Sequence, residues 1–280
     1  MSHRRAFPEP VAAKVPEITL TFWVIKLLTT AAGEATSDYL ALGSHVVGAA
    51  VEVGLLVIGL VWQFRIRRYT AAAYWFLAYA IATFGTGVSD TLHLTVGLPY
   101  GATTLLWAVV LAGVFITWYR SERTLSIHSI LTRRREMFYW ATVFATFALG
   151  TALGDFTATT LGLGYLSSVV LFAVAIMIPA IAWRLGLNAI TAFWGAYVLT
   201  RPLGASVADY VSKAPSISGL GFGDGRTAMA VTLAVAVGVA CLAITRSGIQ
   251  KPAGQVTPGQ QPAQPAEVPS RTPSLRSRGI

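Results

Sequence analysis

Eight apolar runs divide the chain, at about 18–41, 45–63, 71–94, 101–119, 137–159, 164–183, 189–212 and 227–245. Each is close to the ~20 residues that cross a ~30 Å hydrocarbon core. The runs alternate in character. The even ones are almost purely apolar, whereas the odd ones mix aromatic and small residues with polar and ionisable ones. Lipid leaves no partner for an open backbone, and ionisable side chains in a span turn toward a polar interior. The pattern therefore predicts an all-α membrane protein of eight transmembrane helices, with the odd helices inside and the even ones facing lipid.

The odd runs also share a register. FWVIKLLTTAAGEATSDY, YWFLAYAIATFGTGVSDT, YWATVFATFALGTALGDF and FWGAYVLTRPLGASVADY align without a gap. Trp23, Trp75, Trp140 and Trp194 each stand ten residues before Gly33, Gly85, Gly150 and Gly204. Each tryptophan also stands fifteen residues before Asp38, Asp90, Asp155 and Asp209. A small residue precedes every aspartate. Four copies of one pattern at periods of 52, 65 and 54 residues predict four tandem two-helix units, all in the same orientation. Their bounds are about 17–65, 70–120, 136–184 and 189–246, within a membrane domain of 17–246. A short arm (1–16) precedes it. A Pro-, Gln- and Ser-rich tail (247–280) follows, too polar to bury a core and expected to be disordered.

This arrangement resembles a bacterial integral-membrane family of unknown function, built from four tandem two-helix repeats with a characteristic tryptophan. KVPEITLTFWVIKLLTTAAGEATSDYL carries the likeness most closely, and it extends over roughly residues 14–245. The resemblance implies the fold and a bacterial membrane location. It implies no activity.

Composition agrees with a membrane chain. Hydrophobic residues make up 54% and charged residues 12%, against about 25% charged in soluble domains; mean hydropathy is +0.60. The net charge of +9 could suggest nucleic acid, but the positions of the 21 Lys and Arg speak against it. All but four fall in the arm, the tail and the loops after the even runs. Lys213 and Arg226 lie in the opposite loops, and Lys26 and Arg201 lie in spans. The positive-inside rule puts both termini in the cytoplasm, and with the location that the resemblance implies, the expected site is the bacterial inner membrane. The partner expected is the lipid bilayer, with a cation or proton, and no nucleic acid. Cys241 is the one cysteine, so a disulfide within the chain is excluded.

Three groups of positions carry the candidate chemistry. The tryptophans suit interface anchoring, with the ring half buried and the N–H toward water. The glycines, each four residues before a small residue, suit close helix packing. The aspartates lie ~22 Å along each helix from their tryptophans, beside the close-packed face. Four equivalent acids can form a ring around a cation or proton, or can satisfy nearby loops. Glu34 is one turn before Asp38 and joins the candidate site. Lys26, Arg201, His45, Glu52 and His93 break the fourfold pattern and are expected to modulate it. Arg201 either pairs a carboxylate or meets an anionic substrate. His and carboxylates could ligate a metal, but no motif picks one. No cofactor is expected. Gly221-Phe222-Gly223-Asp224 matches the GxGD of intramembrane proteases, yet in a loop it reads as a helix cap at Asp224.

The expected function is a transporter or channel-like protein for a cation or a proton-coupled small solute. The alternatives are a non-transporting scaffold or sensor and, behind it, an intramembrane enzyme. No catalytic constellation is visible, so no enzymatic activity is expected.

Overall fold

A computed structural model describes residues 10–246 and 248–250. The first part of the expected arm and nearly all of the expected disordered tail lie outside the described residues. Among the described residues there is no strand. The helices are α1 (Leu20–Ala41), α2 (His45–Arg65), α3 (Ala71–Leu94), α4 (Tyr100–Glu122), α5 (Arg133–Asp155), α6 (Gly164–Ala175), α7 (Met177–Arg184), α8 (Ala189–Ser212) and α9 (Asp224–Thr245). Side chains of Thr19, Ser44, Thr132 and Asn188 accept backbone N–H groups at the starts of α1, α2, α5 and α8, filling donors a helix start leaves open. α6 and α7 run on as one span, Gly164–Arg184, that steps at Ile176. Pro179 has no N–H to return to the Ala175 carbonyl, which accounts for a break there. A π turn, Phe156–Thr160, extends α5 beyond Asp155.

Among the described residues six helical spans are long and apolar enough to cross a membrane: α2, α3, α4, α5 with its π turn, α6 with α7, and α9. Eight were expected from the sequence. α1 and α8 fall short because they carry Lys26, Glu34 and Asp38, and Arg201 and Asp209, respectively. These polar groups are affordable because other helices surround them. α1, α3, α5 and α8 form an inner ring, each packing on the next, with α8 closing on α1. α2 packs mainly on α3, α4 on α5, α6 and α7 on α8, and α9 on α1. Each repeat therefore lays its second helix against the first helix of the following repeat, cyclically. The best apolar stretches of α3 and α5 are 67% and 72% buried, against 17% to 22% in the outer spans.

The glycines make the ring tight. A β-carbon at Gly33 would strike Ala82; at Gly85, Phe147; at Gly150, Arg201 and Pro202; at Gly204, Thr30 and Ala31. Thr30, Ala82, Phe147 and Arg201 all stand seven residues after a tryptophan. One contact is thus repeated four times around the ring. Gly204→Leu is expected to destabilise the protein by about 1–3 kcal/mol through overpacking, read as an earlier thermal unfolding transition in micelles.

At the other end the aromatic pair of each repeat continues the cycle. Phe22 packs on Trp75, Tyr74 on Trp140, Tyr139 on Trp194, and Phe193 on Trp23, with ring centroids 5.6, 5.2, 6.2 and 5.7 Å apart. Trp75, Trp140 and Trp194 are 2%, 4% and 5% exposed. These three rings are buried in a layer of phenylalanine and tyrosine rings from neighbouring repeats, whereas Trp23 is half-buried. The indole of Trp194 donates to the Leu125 carbonyl at 2.9 Å, and the hydroxyls of Tyr74 and Tyr139 are hydrogen-bonded.

Both described ends of the chain lie near this layer. The Glu17 N–H donates to the Gly248 carbonyl at 2.9 Å. The segment before α1 is packed into the molecule: Val15 and Lys14 are each 1% exposed. Lys14 donates to the Gln63 carbonyl and pairs with Glu136, both at 2.6 Å. Burial lowers the Lys14 pKa, and Glu136 offsets this only in part. Arg133 holds the other Glu136 oxygen at 2.6 Å. In the charge pattern Lys14 counts as a cation of the arm and Arg133 as one of a loop, but both are bound to one buried acid.

Candidate functional site

The site lies at the aspartate end of the ring, where α1 meets α8. The Gly204 contact on Thr30 and Ala31 brings these helices together. Polar side chains of all four inner helices converge beside that contact. Arg201, fully buried, donates to the Glu34 carboxylate at 2.7 Å and to the Thr30 carbonyl at 3.1 Å. The Thr86 and Thr151 hydroxyls donate to the same Glu34 oxygen at 2.9 and 3.1 Å. Arg201 is also hydrogen-bonded to both threonines. All four inner helices thus hold one ion pair: α1 supplies the acid, α3 and α5 the hydroxyls, and α8 the base. Among the readings open for Arg201, carboxylate pairing is the one the structure shows.

Beyond this pair, Glu34, Asp38 and Asp209 each bring a carboxylate oxygen to within 4.8 Å of the others. Glu34 and Asp38 sit one turn apart on α1, so one face presents both. Asp209 reaches across from α8. It is 4% exposed, and its carboxylate accepts no hydrogen bond among the described residues. Asp90 and Asp155 occupy the equivalent places on α3 and α5, half-buried, but lie outside this trio. Of the four aspartates, Asp38 and Asp209 thus stand in this trio with Glu34. Asp38 and Asp209 meet where α8 closes on α1, and Glu34 joins them because repeat 1 alone has an acid at that position, where the others have Thr86, Thr151 and Ala205.

A family model described as "Repeat of Unknown Function (DUF347)" matches residues 21–69, 73–124, 138–185 and 192–247. The chain belongs to the DUF347 family. Each matched segment holds one inner and one outer helix, so the four DUF347 repeats coincide with the four hairpins. No curated protein matches, and no solved structure matches.

The other polar residues singled out in this DUF347 chain are scattered. Lys26 is 3% exposed; its ammonium has no hydrogen-bond partner among the described residues and sits 3.6 Å from the Tyr197 ring centroid and 4.9 Å from that of Phe147. Two turns of α1 separate it from Glu34. Glu52 is buried, accepts from Ser37 at 2.6 Å and fills the space left by Gly87. His93 hydrogen-bonds the Leu98 carbonyl at 2.8 Å and stacks on Tyr100, closing the end of α3. His45 is exposed at the start of α2. Neither histidine joins the carboxylates.

Sequence reasoning missed Lys213 and Asp224 as site residues. Lys213 follows the last residue of α8, and its ammonium lies 2.7 Å from Asp38 and 3.1 Å from Asp224. Burial opposes its charge, but Asp38, Asp209 and Asp224 outweigh that and raise its pKa above the ordinary lysine value of 10.5. It stays protonated at neutral pH, and whatever stability it contributes is lost only above about pH 10.5. Asp224, expected as a helix cap, is instead the first residue of α9 behind Gly223 and faces Lys213. The one available signal was that Lys213 is a rare cation on the side opposite the other basic loops.

Proposed function

We propose that this DUF347 protein is a multi-pass inner-membrane protein with eight crossings and cytoplasmic termini. In this reading it moves a cation, or a small solute coupled to protons, through a site made by Glu34, Asp38 and Asp209. One observation carries the site: the Asp209 carboxylate is buried, lacks any hydrogen bond among the described residues, and stands within 4.8 Å of two other carboxylates. A buried acid left this way is costly unless a proton or cation neutralises it. Three oxygens so placed leave a point within about 2.8 Å of all of them, little beyond the 2.3–2.6 Å of calcium–oxygen bonds. The meeting of both described ends at the tryptophan end supports termini on one side, and the basic loops support that side being cytoplasmic.

The test is uptake into proteoliposomes across a panel of cations and protons, comparing the natural protein with Asp38→Asn/Asp209→Asn. The expected result is cation movement by the natural protein and at least a hundredfold loss in the double variant, with unchanged elution from size exclusion. Equal transport by both proteins would sink the proposed site. A natural protein that moves nothing would favour the scaffold or sensor.

A further inference from the structure

We propose that Lys213 is a tethered counter-ion, which a hard divalent cation displaces from Asp38 toward Asp224, so that Lys213 sets the charge selectivity of the site. This rests on the cation-site reading and adds the class of ion. It does not rest on the acidic cluster alone, because Asp209, 4% exposed, accepts no hydrogen bond among the described residues and shares the one Lys213 charge with Asp38 and Asp224.

The backbone of Lys213 is fixed while its side chain has two destinations. Its N–H donates to the Asp209 carbonyl at 2.8 Å, and its carbonyl accepts from the Gly221 N–H at 2.8 Å. Gly219 lies so close to this backbone that any β-carbon there would collide with it. The ammonium, on four flexible methylenes, bridges Asp38 on α1 and Asp224 on α9 at 2.7 and 3.1 Å. Asp38 belongs to the trio, whereas Asp224 does not. A shift of the ammonium wholly onto Asp224 therefore frees a site ligand without leaving the lysine unpaired.

Charge then selects the ion. Glu34, Asp38, Asp209 and Asp224 face Arg201 and Lys213, which leaves two acids in excess, and Asp90 and Asp155 add to the same negative field. A tethered ammonium competes at an effective concentration in the millimolar range or above. A monovalent ion offers no more charge than the ammonium it must displace. A divalent ion doubles the Coulomb attraction to each carboxylate, and an all-oxygen ligand set suits hard ions such as Mg²⁺, Ca²⁺ or Mn²⁺.

The experiment titrates the full-length protein in micelles with Mn²⁺, following free Mn²⁺ by its paramagnetic resonance signal, with Na⁺ as competitor. Lys213→Gln is expected to tighten Mn²⁺ binding about tenfold and to let millimolar Na⁺ compete. Asp224→Asn is expected to weaken it about tenfold by confining the ammonium to Asp38, and to have little effect in the Lys213→Gln background. Asp209→Asn tests the site itself and should abolish binding. If it does while Lys213→Gln binds no better and still excludes Na⁺, the Lys213 inference is overturned and the site survives. If Asp209→Asn binds like the natural protein, both fall. Should Lys213→Gln not fold, Asp224→Asn decides alone: unchanged or tighter binding overturns the inference.

Discussion

Replacing Arg201 by methionine is expected to destabilise the protein by about 3–5 kcal/mol, the range seen when one partner of a buried ion pair is removed. The guanidinium is fully buried and gives Glu34 its charged partner. Without it, an acid 2% exposed keeps only the hydroxyls of Thr86 and Thr151. Both threonines also lose a guanidinium partner, so the loss reaches all four inner helices. Glu34→Gln should cost less, because an amide still accepts from Arg201. The double variant Glu34→Gln/Arg201→Met should be no worse than Arg201→Met alone, since the uncompensated charge is gone. Thermal unfolding in micelles, or SDS titration, reads all three. Additive losses in the double variant would show that the pair is not the source of the effect.

Loss of Glu136 should act at the opposite end with similar force. Glu136→Ala leaves Lys14 buried at 1% exposure with the Gln63 carbonyl as its hydrogen-bond acceptor, and takes a carboxylate partner from Arg133. About 3–5 kcal/mol is again the expected cost. Lys14→Met/Glu136→Met should recover part of it, because a long apolar side chain fills the same volume without a charge. A local readout accompanies the global one. Lys14 ties the segment before α1 to the end of α2 and the start of α5, so Glu136→Ala should expose that segment to early protease cleavage. Cleavage at the natural rate, together with an unchanged unfolding midpoint, would refute the proposed role of Glu136.

The sequence by itself determined the repeat, its phase and the helical class. Tryptophan, glycine and aspartate recur at constant spacing, and helix geometry turns constant spacing into a constant face. That was enough to place the glycines at close contacts and the polar helices inside. The tertiary structure decided which repeats meet. The trio of carboxylates exists because α8 closes on α1, and ring closure joins residues about 170 positions apart that no local pattern links. It also decided that Arg201 serves Glu34, that Lys213 reaches back to Asp38, and that Asp90 and Asp155 stay outside the trio. In their best stretches α1 and α8 are the least apolar of the long helices, and their ionisable side chains are enclosed by neighbouring helices, a placement that hydropathy along the chain does not register. The tryptophans misled for the same reason: a ring that suits a headgroup interface also suits a layer of other rings, and only the packing of neighbouring repeats distinguishes the two.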